Sequence, residues 1–225
     1  MNVLKRMVTA AVATVSVGAA LVVPATAAHA ADTTLGIDVG NIAYNQVYSD
    51  NAEVLKRLSE KGTNCNFYTG FWADPNNDRY DNNPASTCGT SSKGYQYRDG
   101  TKSWVTVNWR ARAWCADFAK FAFYWGTAKY TGLNALASSF RTYGVNNGTW
   151  HPKGSYVPRK GDAVVYDWEG DGVIDHVGIV TSYQENNTDG TFNSVEGNRS
   201  DAVKHVFNTS NRAASVVGFT SPVPK

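Results

Sequence analysis

The chain has 225 residues, of which 42% are hydrophobic, 18% charged and 12% aromatic, with a formal net charge of +2. That composition belongs to a folded globular protein and excludes fibrous, low-complexity and disordered classes. Removing Lys5 and Arg6, the only charges in the first thirty residues, from 21 basic residues leaves 19 against 19 acidic ones. A remainder so balanced excludes nucleic-acid or anionic-membrane binding driven by net charge.

Residues 1–30 read as a secretory signal peptide. Lys5 and Arg6 precede an apolar run from Met7 to Val23, and Ala28-His29-Ala30 supplies small residues at the positions that signal peptidase reads. Lys-Arg is not a twin-arginine pair, so export in an unfolded state is expected. After cleavage no apolar run reaches membrane-spanning length. About 195 residues then remain, enough for one domain with its own core. The expected product is a secreted, extracellular or wall-associated monomer without a membrane partner.

Residues 31–104 are expected to form a helical and loop-rich N-terminal region of the same globular unit, and residues 105–225 its core. Ile37 to Lys61 reads as helical, most clearly in its second half. There Ser49 or Asp50 caps, Glu53 follows in the first turn, Val54, Leu55 and Leu58 share a face, and Gly62 stops the run. Gly62 to Thr101 is polar and weakly periodic, and contains Cys65 and Cys88. In an exported protein such cysteines tend to oxidise. A bridge closing about 23 residues would stabilise by roughly 3 kcal/mol in the loop-entropy model. Rival pairings would use Cys115, but composition favours Cys65–Cys88 with Cys115 left as a thiol.

Trp114, Phe118, Phe121 and Trp125 recur at helical spacing up to Gly126, which places Cys115 in the first turn of a short amphipathic helix. A further helix is expected over Asn134–Tyr143, closed by Gly144. After Pro158 the pattern alternates. Strands are expected over Asp162–Asp167, Val173–Tyr183, Thr191–Val195, Ala202–Phe207 and Ala214–Phe219, with Asn187-Thr188-Asp189-Gly190 as a hairpin turn. Helices followed by an antiparallel sheet make an α+β protein.

Three residues draw attention as chemistry. A thiol at a helix N-terminus sits where free N–H groups and the helix dipole favour negative charge, and with it the reactive thiolate; most free cysteines are instead small buried hydrophobes. Of the histidines after residue 30, His151 lies in a loop between Trp150 and Pro152, and His205 in an apparent edge strand. His176 opens the most hydrophobic strand, where a base is held by the sheet yet faces a cleft. Glu196 and Asn198, two apart on the next strand, point to one face. Register through the hairpin brings residue 198 or 200 near His176, so that Glu196 or Asn198 is placed to orient its ring. A slip of one residue would separate them.

These segments resemble the CHAP domain (cysteine, histidine-dependent amidohydrolase/peptidase), a branch of the papain-like hydrolases related to the NlpC group. The matching blocks are Trp114-Cys115-Ala116-Asp117-Phe118, Lys160-Gly161-Asp162-Ala163-Val164-Val165, Asp175-His176-Val177-Gly178-Ile179-Val180, Val195-Glu196-Gly197-Asn198, and Gly218-Phe219 before Pro222. They keep the family's order over roughly residues 105–222. The resemblance implies a papain-like α+β fold, Cys115 as nucleophile, His176 as base, Glu196 as orienting residue and Asn198 beside it. It also implies peptidoglycan as substrate, cut between muramic acid and L-alanine or within the stem or cross-bridge peptide. No metal or organic cofactor is needed for that route.

Asp167, Glu169 and Asp171 alternate before Gly172, as in the first half of a calcium loop. An EF-hand loop counted from Asp167 would need a bidentate acid where Gly178 stands, so a solvated acidic turn is the favoured reading. Two other functions stay open from sequence: a cysteine amidase or peptidase acting on a non-wall substrate, and a non-catalytic wall-binding or interaction module on the same scaffold. A degenerate module usually lacks a member of the triad, and here all three residue types are present.

Overall fold

The structure, a computed structural model, describes residues 31–52, 54, 64, 66–73, 92–98, 101–107, 112–154, 156–183, 191–207 and 213–225. The leader, and Cys65 and Cys88 with their expected bridge, lie outside these residues.

The first helix, α1, spans Thr34–Tyr48, with Thr33 as N-cap: its Oγ1 accepts a hydrogen bond from the Gly36 amide at 3.0 Å. It therefore begins earlier than the sequence pattern indicated, and Ser49 is its C-cap; of the helical stretch expected from Ser49 to Gly62, Ala52 and Val54 are helical, and residues 53 and 55–63 lie outside the described residues. The segment is weakly amphipathic because Gly36, Val39, Gly40 and Ala43 make up most of its packed stripe. Small residues give little hydropathy signal but permit close packing. Val39 and Ala43 are fully buried against helix α3 and strand β5, described below.

The stretch read as loop-rich contains ordered elements. Helix α2 spans Phe67–Ala73, and Asn66 starts it by accepting the Tyr68 and Thr69 amides at 2.9 and 3.2 Å. Its aromatics fall at i and i+4 (Phe67 and Phe71, Tyr68 and Trp72), a helical period inside an otherwise polar region. Strands β1 (Ser92–Arg98) and β2 (Thr101–Val107) then form an antiparallel hairpin.

Helix α3 spans Cys115–Trp125 and ends at Gly126, as its aromatic spacing indicated. Helix α4 runs over Ser138–Asn147, four residues later than expected, and closes at Gly148 with φ +68°, the usual left-handed end. Gly144, expected as the stop, lies inside the helix, where its lack of a side chain admits Trp150 and Thr220.

The strands that follow are β3 (Trp150–Pro152), β4 (Ala163–Tyr166), β5 (His176–Tyr183), β6 (Phe192–Glu196), β7 (Lys204–Phe207) and β8 (Val216–Thr220). They form a six-stranded antiparallel sheet in the order β3-β8-β4-β5-β6-β7. The five expected strands are all present: three lie inside the expected bounds, and β6 and β8 end one residue later than expected; β3 is additional, formed where His151 was read as loop. The architecture is α+β. One face of the sheet packs Val165, Val177, Ile179 and Val195 under the helices, and the other carries Val164, Val180, Phe192 and Phe219. Burial on both faces explains why β4 is an unbroken buried run.

Candidate active site

Cys115 is the first residue of α3. Its preceding N-cap, Trp114, makes no side-chain capping bond to the first-turn amides. The thiol is free and buried, at 5% exposure, and its Sγ lies 4.0 Å from the Asp175 carbonyl oxygen. The helix itself is anchored beneath. Trp114 stacks on Tyr68 at 5.5 Å, and Phe121 packs edge-on against Phe67, Tyr68 and Phe71.

One residue past Asp175, His176 opens β5, and Glu196 closes β6. The pairing Ile179↔Val195, continued along both strands, sets residue 178 opposite 196 and places His176 and Glu196 on one face. The expected register therefore holds. His176 Nε2 and Glu196 Oε2 are 3.0 Å apart, and Glu196 is fully buried. Burial alone would lower the pKa of the ring. Hydrogen bonds to Cys115 and Glu196, together with their charges, outweigh burial and lift it to about 9. The ring thus meets a buried carboxylate directly and is influenced by the Cys115 thiol, the residue types that a nucleophile, a base and an orienting group require.

Sequence reading missed the groups that hold Glu196. Ser194 Oγ and Tyr166 Oη donate to its Oε1 at 2.8 and 3.2 Å, leaving Oε2 for the imidazole. Ser194 stands two residues before Glu196, hence on the same face; Tyr166 is the β4 partner of His176. The alternation was visible for Ser194, but the approach of Tyr166 depends on the sheet.

Asn198 does not share the place expected for it. Strand β6 ends at Glu196, and Asn198 enters a turn with φ +56°, without a hydrogen bond to His176. His151 lies in β3, stacked on Tyr156 at 3.8 Å, with its pKa lowered by burial and by Arg159. His205 stands on the edge strand β7 between the Tyr48 hydroxyl (2.7 Å) and Thr181 Oγ1 (3.3 Å). Neither histidine bonds Cys115 or Glu196.

Asp117, in the first turn of α3, is buried and bound by Arg112 through Nε and Nη2 at 3.0–3.1 Å. Burial raises its pKa, against the lowering effect of Arg112 and Lys120. Its backbone carbonyl accepts the Trp72 indole N–H at 2.8 Å, tying α2 to the start of α3.

Carboxylate oxygens of Asp167, Glu169 and Asp175 lie within 4.8 Å of one another. The loop satisfies much of this group internally: Asp167 accepts the amides of Gly170, Asp171 and Gly172, and Asp175 Oδ2 accepts the Trp168 amide at 2.8 Å. Asp175 also raises the pKa of Glu169 through a shared hydrogen bond and like charge. Its chief visible effect is to fix Trp168 beside His176, with the two rings 5.8 Å apart.

No curated protein and no solved structure matches the chain. The family model of the CHAP domain matches residues 106–198, which contain Cys115, His176 and Glu196. Strands β7 and β8 and helix α1 fall outside that match while packing in the same fold. In sequence and in its α+β architecture, the segment from residue 106 to residue 198 is a CHAP domain.

Proposed function

We propose that the protein is an exported cysteine hydrolase that cleaves an amide or peptide bond of bacterial peptidoglycan. The observation that carries this reading is the 3.0 Å pair of His176 and Glu196 with Cys115 at a helix N-terminus, its thiol 4.0 Å from the carbonyl of the residue before His176, in a segment matched by the CHAP domain, a class of cysteine- and histidine-dependent amidohydrolases. Export is supported by the leader pattern of residues 1–30. Outside the cell, the Cys65–Cys88 bridge would leave Cys115 as the free thiol.

In this mechanism His176 takes the Cys115 thiol proton, and the thiolate attacks the amide carbonyl carbon. The resulting oxyanion forms beside the uncapped first turn of α3, where the Cys115 amide can donate to it. His176 then gives its proton to the leaving amine as the C–N bond breaks, leaving a thioester on Cys115. Water, deprotonated by the same ring, hydrolyses the thioester and restores the thiol. Glu196 holds the imidazole in orientation and stabilises its charged form, and is itself kept in place by Ser194 and Tyr166.

The test is digestion of purified peptidoglycan by the exported protein and by Cys115→Ala, with fragments identified by mass spectrometry. New L-alanine amino termini, absent with the variant, mean an amidase, and new termini elsewhere in the peptide mean an endopeptidase. No cleavage of several wall types by folded protein with a titratable thiol would overturn the reading in favour of another substrate or a binding role.

A further inference from the structure

We propose that Arg199 is a specificity residue that binds a free carboxylate of the substrate peptide beside the scissile amide. The identity of that substrate rests on the hydrolase reading above; the anion site itself rests on the geometry around Arg199.

The turn after Glu196 is unusual backbone. Asn198, Ser200 and Asp201 all have left-handed conformations (φ +56°, +53° and +54°), which residues bearing a Cβ rarely adopt. Such outliers persist where surrounding structure enforces them, and they concentrate at functional sites. Here the enforcement is visible. Gly197 has no room for a Cβ against Phe118 and Trp114 of α3, and the Arg199 amide donates to the Ala202 carbonyl at 2.9 Å.

This turn sets the Arg199 guanidinium over the Trp168 ring, 5.3 Å from its centroid. Trp168 in turn stacks on Tyr166 at 4.7 Å and 10°, and stands 5.8 Å from His176. Tyr166 and His176 both bond Glu196. A cation is thus mounted on the aromatic wall of the triad by a turn that begins at the triad's own carboxylate.

The guanidinium makes no hydrogen bond or ion pair among the described residues. Arg112 grips Asp117 and Arg159 donates to Tyr156 at 2.7 Å, while Arg141 likewise lies over a Trp ring, that of Trp150, but far from His176 and Glu196 in the sheet, on helix α4. A planar fork of donors, held against an aromatic face and without a carboxylate of its own, matches a carboxylate ligand better than a neutral sugar or amide. Stem peptides of peptidoglycan supply such groups next to their amide bonds. Arg199 lies one residue beyond the family match, consistent with a determinant particular to this chain.

The experiment measures binding, so that it does not depend on turnover. Inactive Cys115→Ala protein and its Arg199→Gln and Arg199→Lys derivatives are titrated calorimetrically with a muramyl pentapeptide and with forms in which single carboxylates are converted to carboxamides. The expected result is that one carboxamide form binds about tenfold to a hundredfold more weakly than the parent, the range of a charged hydrogen bond. Arg199→Gln should abolish that preference, and Arg199→Lys should retain part of it. Equal binding of all forms, absence of measurable binding, or a preference that survives Arg199→Gln would overturn the proposal. Turnover by the unmodified protein is scored separately, so an anion site without hydrolysis would refute the function and leave Arg199 standing.

Discussion

Gly178 makes room for Glu196: a Cβ built on residue 178 would stand 2.6 Å from Glu196 Cγ. The two residues face each other across β5 and β6, and the glutamate side chain crosses the bare backbone of Gly178 to reach His176, two residues along the same face. A glycine in a buried strand is normally a weakness, because it packs nothing and costs conformational entropy. Here it forms the floor under the carboxylate that meets His176.

Gly178→Ala should therefore reduce turnover more than stability. Moving a catalytic group by about an ångström costs on the order of a hundredfold in rate, whereas an added core methyl costs about 1–3 kcal/mol. The check is kcat and thermal unfolding of Gly178→Ala, Glu196→Gln and the double variant. If both changes act through the same contact, the double variant falls no further in kcat than the worse single one. Multiplicative losses would show that Gly178 acts elsewhere.

The raised His176 pKa sets a sign for pH dependence. Its folded value of about 9 lies above the ordinary histidine value of 6.5, so the folded state holds the proton more tightly. That contribution to stability is complete below about pH 6.5 and disappears as pH rises through about 9. The stability difference between wild type and His176→Gln should shrink over this window. In the rate profile, loss of the imidazolium should give an alkaline limb near pH 9. Glu196→Gln removes one support of the charged ring and should move that limb to lower pH; an unmoved limb would assign it to another group.

Arg112 and Asp117 test how the nucleophile helix is held. Asp117 is buried in the first turn, and three nitrogen–oxygen contacts at 3.0–3.1 Å join it to Arg112. Arg112→Met strands a buried carboxylate, which costs about 3 kcal/mol or more when one partner of a buried pair is removed. The stranded group can escape only by taking a proton, so Arg112→Met should lose more stability at neutral pH than in mild acid. Adding Asp117→Asn should recover much of the loss. Urea unfolding of the three proteins at two pH values measures this, and a pH-independent loss would mean that Arg112 contributes by packing alone.

What could be read from the sequence follows from how local each signal is. The Trp114–Phe118–Phe121–Trp125 spacing and the apolar runs of β4, β5, β6 and β8 are contained within single elements and give the helix and the strands, although the strands are buried on both faces rather than alternating. The pairing of His176 with Glu196 was legible because a hairpin transmits register over a short distance. The start of α1 was hidden because its stripe of Gly36, Gly40 and Ala43 is small rather than hydrophobic, while α2 was obscured by the polar residues around its four aromatics. Tyr166 and Arg199 were out of reach for a different reason. The role of Tyr166 requires the β4–β5 pairing, and that of Arg199 requires three left-handed residues, which no residue type there announces.

Two glycines with similar backbones separate conformational strain from packing. Gly161 has φ +88° and Gly154 has φ +82°, so alanine at either incurs the left-handed penalty, about 1–2 kcal/mol. Around Gly154 a Cβ would meet nothing within 4 Å, but at Gly161 it would run into the Gly36 backbone at the start of α1. Gly161→Ala should thus cost the same strain plus displacement of α1, a total of about 3 kcal/mol or more. Gly154→Ala should cost only the strain. Denaturant unfolding of the two variants measures the difference. A clear excess at Gly161, with a single cooperative transition, would show that α1 folds together with the CHAP-matched core although it lies outside the family match; equal losses would make α1 an appendage that yields without disturbing the sheet.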